Sequence, residues 1–109
     1  MPVEDTFAVL GDPHRKAVVD LLSRQPRRAG EIADELDLSP QALSRHLRVL
    51  RRKGLITETG IEDDARVRIY SLRREPFEQM RDWLSDVEQF WGLQLSAFAD
   101  HVKRKRRKT

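Results

Sequence analysis

The chain has 109 residues, no cysteine and a net charge of +3 from 21 basic and 18 acidic side chains. Its length corresponds to one domain, and the absence of cysteine excludes disulfides, thiol catalysis and thiolate metal sites. No apolar stretch approaches the ~20 residues of a membrane span, and the acidic N-terminus does not follow the pattern of a secretory signal. We therefore expect a cytoplasmic protein without a membrane partner.

The small net charge conceals an uneven distribution along the chain. Residues 1–38 are net −3, residues 39–74 net +5, residues 75–102 net −5 and residues 103–109 net +6. Two separated basic segments favour a polyanionic partner such as a nucleic acid.

The first half of the chain predicts short helices separated by proline-containing breaks. Residues 4–10 predict one helix, and Asp12-Pro13 supplies an N-cap and a first-turn proline for a second helix that runs to about Ser23. A third helix is predicted over residues 29–36.

A fourth helix begins with the same combination of cap and proline. Ser39-Pro40 starts it, and it continues to about Lys53, with Gly54 as the residue that ends it. Residues 30–47 are therefore two helices joined by a short turn. Such a helix-turn-helix can place its second helix in the major groove of DNA.

The second half of the chain predicts a hairpin and a long helix. Residues 55–59 and 66–72 are rich in β-branched or aromatic side chains and flank a polar loop, residues 60–65. The last helix is predicted over residues 75–102, with apolar side chains every three or four residues. Residues 103–109 contain no apolar side chain and are expected to be a disordered basic tail, either a solubilising end or a flexible arm with affinity for phosphate.

The second helix of the helix-turn-helix separates an apolar from a cationic face. At about 100° per residue, Leu43, Leu47 and Leu50 share the core side. The opposite stripe contains Gln41, Arg45, Arg48 and Arg52, with Ser44 at its edge. Alone, such a stripe is more simply a solvated face. Beside a preceding helix and a basic hairpin strand, it favours phosphate neutralisation and the reading of base edges.

Together these segments resemble the ArsR/SmtB family of winged helix-turn-helix repressors over nearly the whole chain. The resemblance rests on residues 7–15 (FAVLGDPHR), residues 30–47, the exit at residues 53–56, and the second wing strand at residues 68–72. It implies a mainly α fold with a small β-hairpin wing (α+β) and a homodimer through the first and last helices. It also implies repression of transcription at an imperfect inverted repeat in double-stranded DNA. Residues 90–98 also resemble the last helix of the metal-independent autorepressor branch.

The chain departs from the metal-sensing members of that family. Arg28 and Gly30 stand where those members carry a cysteine pair, and Asp100-His101 has no second histidine beside it. We therefore expect no metal and no cofactor. Arg28 also replaces the Ser or Thr that caps the first helix of the motif, and its charge opposes the helix dipole. The wing tip at residues 62–64 is acidic, so we do not expect it to insert beside phosphates.

The sequence thus assigns residues 1–102 to a winged helix-turn-helix domain whose dimerisation helix is residues 75–102. Ser39 and Arg45 or Arg48 are expected at the DNA backbone, and Arg45 is also placed to read guanine. His46 has two equal interpretations, helix packing and phosphate contact. The predicted DNA-binding residues are Ser39, Gln41, Ala42, Ser44, Arg45, His46, Arg48, Arg66 and Arg68, and the predicted dimer contacts are Phe7, Leu84, Val87, Trp91, Leu95 and Phe98.

Other functions are less consistent with the sequence. Ser44 and His46 are two residues apart on a helix and do not face each other, so a catalytic triad is not expected. Two alternatives remain open. One is a metal- or small-ligand-responsive derepressor of the same fold. The other is a winged-helix protein-interaction adaptor, which would carry an uncharged recognition face. We expect a DNA-binding regulator in the cytoplasm, associated with the nucleoid when bound.

Overall fold

The structure is a computed structural model that describes residues 2–61 and 64–107, without the side chains of residues 61, 64–66, 93–97 and 104–107. The mainly helical fold with a small antiparallel sheet is confirmed. The chain forms two compact units, Met1–Phe77 and Glu78–Thr109. Within the described residues the elements are α1 (Val3–Leu10), α2 (Pro13–Leu22), β1 (Arg27–Arg28), α3 (Ala29–Leu36), α4 (Pro40–Arg52), β2 (Ile56–Ile61), β3 (Asp64–Leu72) and α5 (Arg74–Arg107).

Local capping explains where α2 and α4 begin. The carboxylate of Asp12 accepts hydrogen bonds from the backbone N–H groups of His14 and Arg15, at 2.8 and 3.1 Å. The hydroxyl of Ser39 accepts from the backbone N–H of Ala42 at 3.1 Å. Each residue satisfies N–H groups that a helix start leaves unpaired, and each precedes a proline whose fixed φ suits the first turn.

The core of the first unit lies where α2, α3 and α4 meet the sheet. Ile32 of α3, Leu43 and Leu50 of α4, and Leu55 are fully buried there. Gly54 has a φ of 75°, a conformation that costs a side-chain-bearing residue about 1–2 kcal/mol. It lets the chain turn directly from α4 into the first wing strand.

The sheet contains one strand that was not predicted, and its hairpin strands are longer than expected. The strand order is β1-β3-β2, all antiparallel. Strand β1 pairs Arg27 with Tyr70, and two charged residues carry no alternation from which to predict it. Pairing of the hairpin reaches Ile61 and Asp64, so the predicted loop over residues 60–65 is wrong because four of its residues lie in strands.

The last helix is also longer than the sequence predicted. Helix α5 runs from Arg74 to Arg107, which corrects the expected disorder for residues 103–107. Lysine and arginine are good helix formers, and their charge is favourable at a helix C-terminus. Residues 108 and 109 lie outside the described residues. In the part of the chain that the structure describes, no helix combines the length and the apolar character needed to cross a bilayer.

Candidate nucleic-acid interface

Helix α4 directs its leucines into the core and its polar face to the surface. Leu43, Leu47 and Leu50 are buried as predicted, whereas Ala42 is half-buried. The opposite face forms a shallow depression whose lining residues are Pro40, Gln41, Ser44, Arg45 and Arg48. The structure therefore brings four of the predicted DNA-binding residues into one surface.

The N-terminus of α4 lies at one end of this surface. Ser39 is exposed, and its side chain caps the helix by accepting from Ala42. Because the oxygen is the acceptor, the hydroxyl hydrogen stays available to a further acceptor. The partial positive charge of a helix N-terminus favours an anion at the same place.

The polar face of α4 continues onto the wing through two further depressions. One is lined by Ser44, Leu47, Arg48, Arg51 and Tyr70. The next is lined by Arg51, Thr57, Glu58 and Arg68. Neighbouring depressions share Ser44 and Arg48, and then Arg51, so the surface runs without a break from α4 to β2 and β3.

Glu58 connects two arginines at the wing end of this surface. Arg51 Nη1 donates to Glu58 Oε2, and Arg68 Nε lies 3.4 Å from Glu58 Oε1. The carboxylate of Glu58 thus orients guanidinium groups from α4 and from β3. Arg68 also lies across Gly60, its partner in the sheet, where an added Cβ would be 3.0 Å from Arg68 Nη1.

Sequence reasoning did not assign Arg51 or Glu58 to the site. The helical wheel places Arg51 at the flank of the cationic stripe, and only the packing of the wing against α4 shows what it faces. The predicted hairpin did not provide the strand register either, because in the structure Glu58 opposes Tyr70 and Gly60 opposes Arg68. Residues two apart on a strand share a face, so Glu58 and Arg68 had to lie on one side of the sheet.

Two of the predicted wing features lie wholly or partly outside the described residues. Arg66 belongs to β3, but its side chain lies outside the described residues. Residues 62 and 63 of the acidic tip also lie outside them. The roles assigned to both stay predictions.

His46 lies on the side of α4 that faces α2. Its ring centroid is 5.5 Å from that of His14, with the planes tilted by 39°. Burial lowers the pKa of His46, and the nearby negative charge of Asp12 opposes that shift. This environment supports the packing interpretation of His46. Among the described residues, no group of three or more His, Cys, Asp and Glu side chains is arranged to hold a metal ion.

The second unit, in α5, exposes large apolar side chains. Phe90, Trp91 and Phe98 are 61%, 56% and 65% exposed, and the rings of Phe90 and Trp91 meet edge to face at 6.4 Å. Leu84 is also exposed, Val87 is half-buried, and the side chain of Leu95 lies outside the described residues. In the first unit, Phe7 of α1 is partly exposed.

Comparison with known proteins gives consistent results. A family described as a helix-turn-helix domain matches residues 10–59. The HTH-type transcriptional regulator Rv2034 of Mycobacterium tuberculosis is 31% identical over 96 residues, covering 88% of this chain and 84% of that protein. The transcriptional repressor SdpR of Bacillus subtilis is 30% identical over 56 residues, which are 51% of this chain and 62% of that protein.

A solved structure extends the similarity to the fold. The crystal structure of the ArsR family transcriptional regulator RHA00566 superposes with a TM-score of 0.71 at 30% identity. The match covers 82% of this chain and 94% of that one. The similarity therefore extends well beyond the helix-turn-helix.

Proposed function

This chain belongs to the ArsR/SmtB family of winged-helix, DNA-binding transcriptional regulators, and we propose that it acts as a homodimeric repressor at an inverted-repeat operator. The single observation that carries the proposal is the exposed face of α4, on which Gln41, Ser44, Arg45 and Arg48 line one continuous surface. A protein-interaction adaptor would carry an uncharged face there, so the two arginines favour DNA as the partner.

Each side chain of this face has a chemistry that suits part of a duplex. Ser39 lies at the positive end of α4 and donates a hydrogen bond to a backbone phosphate. Arg48 neutralises the charge of a backbone phosphate. Gln41, Ala42 and Ser44 face base edges, and Arg45 has the planar fork that pairs with guanine. Arg66 and Arg68 contact the backbone beside the groove.

The dimer pairs α5 with α5 of a second copy, with α1 contributing as well. The exposed aromatic side chains of α5 support this choice of partner, because large apolar groups left in water favour burial against a matching surface. Two copies related by a two-fold axis place their α4 helices about one helical turn, ~34 Å, apart. The two-fold symmetry selects an inverted repeat, and the spacing of the helices sets the distance between its half-sites. Repression follows where the operator overlaps a promoter, and the relative SdpR is named a repressor.

Selection of duplexes from a random-sequence library tests this function. We expect rounds of binding and amplification to enrich an inverted repeat whose half-sites are about one helical turn apart. The Arg24→Ala variant, altered at an exposed arginine in the turn after α2, should enrich the same sequence. Recovery of no preferred sequence would contradict the proposal.

A further inference from the structure

Three charged side chains from three different elements meet where α4 joins the wing. They are Arg51 of α4, Glu58 of β2 and Arg68 of β3. The side chain of Glu58 is only 19% exposed, whereas those of Arg51 and Arg68 are 55% and 51% exposed. The carboxylate is therefore enclosed, and the two guanidinium groups still reach solvent.

The arrangement has the composition of an anion site that is already filled. A carboxylate offers two oxygens on one centre, and so does a backbone phosphate with its two non-bridging oxygens. Arg51 binds one oxygen of Glu58 and Arg68 approaches the other. Guanidinium groups recognise carboxylate and phosphate with the same fork of donors, so the pair is already oriented for a phosphate.

The cluster adjoins the surface of α4 that is proposed to bind DNA. The depression lined by Arg51, Glu58 and Arg68 adjoins the one lined by Ser44, Arg48 and Arg51. A duplex whose base edges face Ser44 would therefore carry its backbone toward Arg51.

We propose that Arg51 and Arg68 form a binding site for one DNA backbone phosphate, and that Glu58 occupies this site in the free protein as an intramolecular competitor. This inference rests on the proposed function. When DNA binds, one of its phosphates displaces the carboxylate of Glu58 from the two arginines. The free energy needed for this displacement weakens binding to every duplex equally, whatever its sequence. Glu58 thereby limits non-specific affinity, and the base contacts of α4 keep their discrimination.

The substitution Glu58→Gln keeps the shape of the side chain and removes its charge. We expect this variant to bind both the selected duplex and a scrambled one about five- to tenfold more tightly at 0.1 M salt. The slope of log affinity against log salt should become steeper by about one. Glu35→Gln, which removes the same charge at an exposed position of α3, is the matched control and should leave the slope unchanged.

The substitution Arg51→Ala tests the proposed phosphate site independently of whether the Glu58→Gln variant folds correctly. In the otherwise unchanged chain it should flatten the slope by about one, and in the Glu58→Gln background it should cancel the gain. Arg24→Ala, the matched arginine control, should do neither. The chain has a single tyrosine, Tyr70, whose pKa is raised by burial and then by Glu58. A lower pKa of Tyr70 in Glu58→Gln therefore verifies that the charge has been removed from a folded wing.

The outcomes separate this inference from the proposed function. If the unmodified chain binds no duplex, both are overturned. If it binds, but Glu58→Gln matches it in affinity and slope, or Arg51→Ala leaves the slope unchanged, only the phosphate site is overturned. Glu58 would then be a purely structural link between α4 and the wing.

Discussion

At the scale of single residues, the start of α2 gathers groups whose protonation bears on stability. Hydrogen bonding to the backbone of Arg15 lowers the pKa of Asp12, so this carboxylate stays charged in ordinary buffers. His46 is the opposite case, because burial lowers its pKa and so favours the neutral ring beside His14. The cap is thus insensitive to mild acid, and the histidine contact is sensitive to it.

The lowered pKa of His46 gives a pH prediction with a defined sign. Below pH 6.5, which is the ordinary pKa of a histidine, His46 takes up a proton more readily in the unfolded chain than in the folded chain. The free energy of unfolding therefore falls as pH falls. We expect the melting temperature to decrease from about pH 8 to about pH 5, and to decrease less in the His46→Gln variant. Equal losses in the two proteins would show that His46 does not carry the effect.

Arg28 marks a helix start that can be improved. It is the N-cap of α3 without a side-chain capping bond, and its backbone N–H donates to Glu31 at 3.3 Å. Arg28→Thr supplies an acceptor oxygen, removes a cation from the positive end of the helix and suits strand β1. The free energy of unfolding of Arg28→Thr, measured by thermal unfolding, should rise by about 1 kcal/mol. The control Arg24→Thr, at a position outside any helix or strand, should not be stabilised. An unchanged or lower melting temperature for Arg28→Thr would refute the prediction.

At the scale of elements, the signals that depend on near neighbours in sequence were sufficient. Asp12-Pro13 and Ser39-Pro40 located the starts of two helices, and the spacing of Leu43, Leu47 and Leu50 identified the buried face of α4. Gly54 was recognised as the end of that helix from residue type alone, since a left-handed conformation favours glycine. Each of these signals operates within about two helical turns of chain.

Contacts that depend on packing between elements were beyond the sequence. Strand β1 exists because Arg27 and Arg28 lie beside Tyr70 and Ile69, more than forty residues away in the chain. The ion pair of Glu58 with Arg51 likewise requires α4 and the wing to be assembled first. His14 and His46 are far apart in sequence and adjacent in space for the same reason.

The junction between α4 and the wing depends on Gly54. An added Cβ there would meet Arg73 Nη1 at 3.2 Å, and the φ is positive. Gly54→Ala should therefore lower the free energy of unfolding by about 1–2 kcal/mol, measured by denaturant titration. Gly30→Ala is the matched control, because nothing lies within 4 Å of the added Cβ in α3. It should be neutral or slightly stabilising, and similar losses in both variants would contradict the role of Gly54.

At the scale of the whole molecule, the charge distribution acquires a structural meaning. The basic segment of residues 39–74 comprises α4 and the wing, and the acidic segment of residues 75–102 lies within α5. The basic residues that follow are part of α5 as far as Arg107. The net charge of +3 is therefore what remains when the basic α4 and wing (+5) and the basic residues 103–109 (+6) are set against the acidic residues 1–38 (−3) and 75–102 (−5).

The proposed dimer makes its own prediction at this scale. Trp91→Ala and Phe98→Ala each remove a large side chain that α5 exposes. A dimer formed through α5 should therefore be weaker in each variant and dissociate at a higher protein concentration. Sedimentation velocity across a concentration series measures the change. Glu88→Ala, a polar truncation on the same helix, is the control. A double variant that stays as dimeric as the unmodified chain would exclude this face of α5 as the interface.

The central claim is that the exposed face of α4 binds DNA, and the affinity of the Arg45→Ala variant tests it most directly. Equilibrium binding is measured on the duplex that the unmodified chain selects and on a scrambled duplex. We predict a loss of about 1–3 kcal/mol on the selected duplex, a smaller loss on the scrambled one, and no loss for Arg24→Ala on either. Unchanged affinity of Arg45→Ala for the selected duplex would contradict the assignment of α4 as the recognition helix.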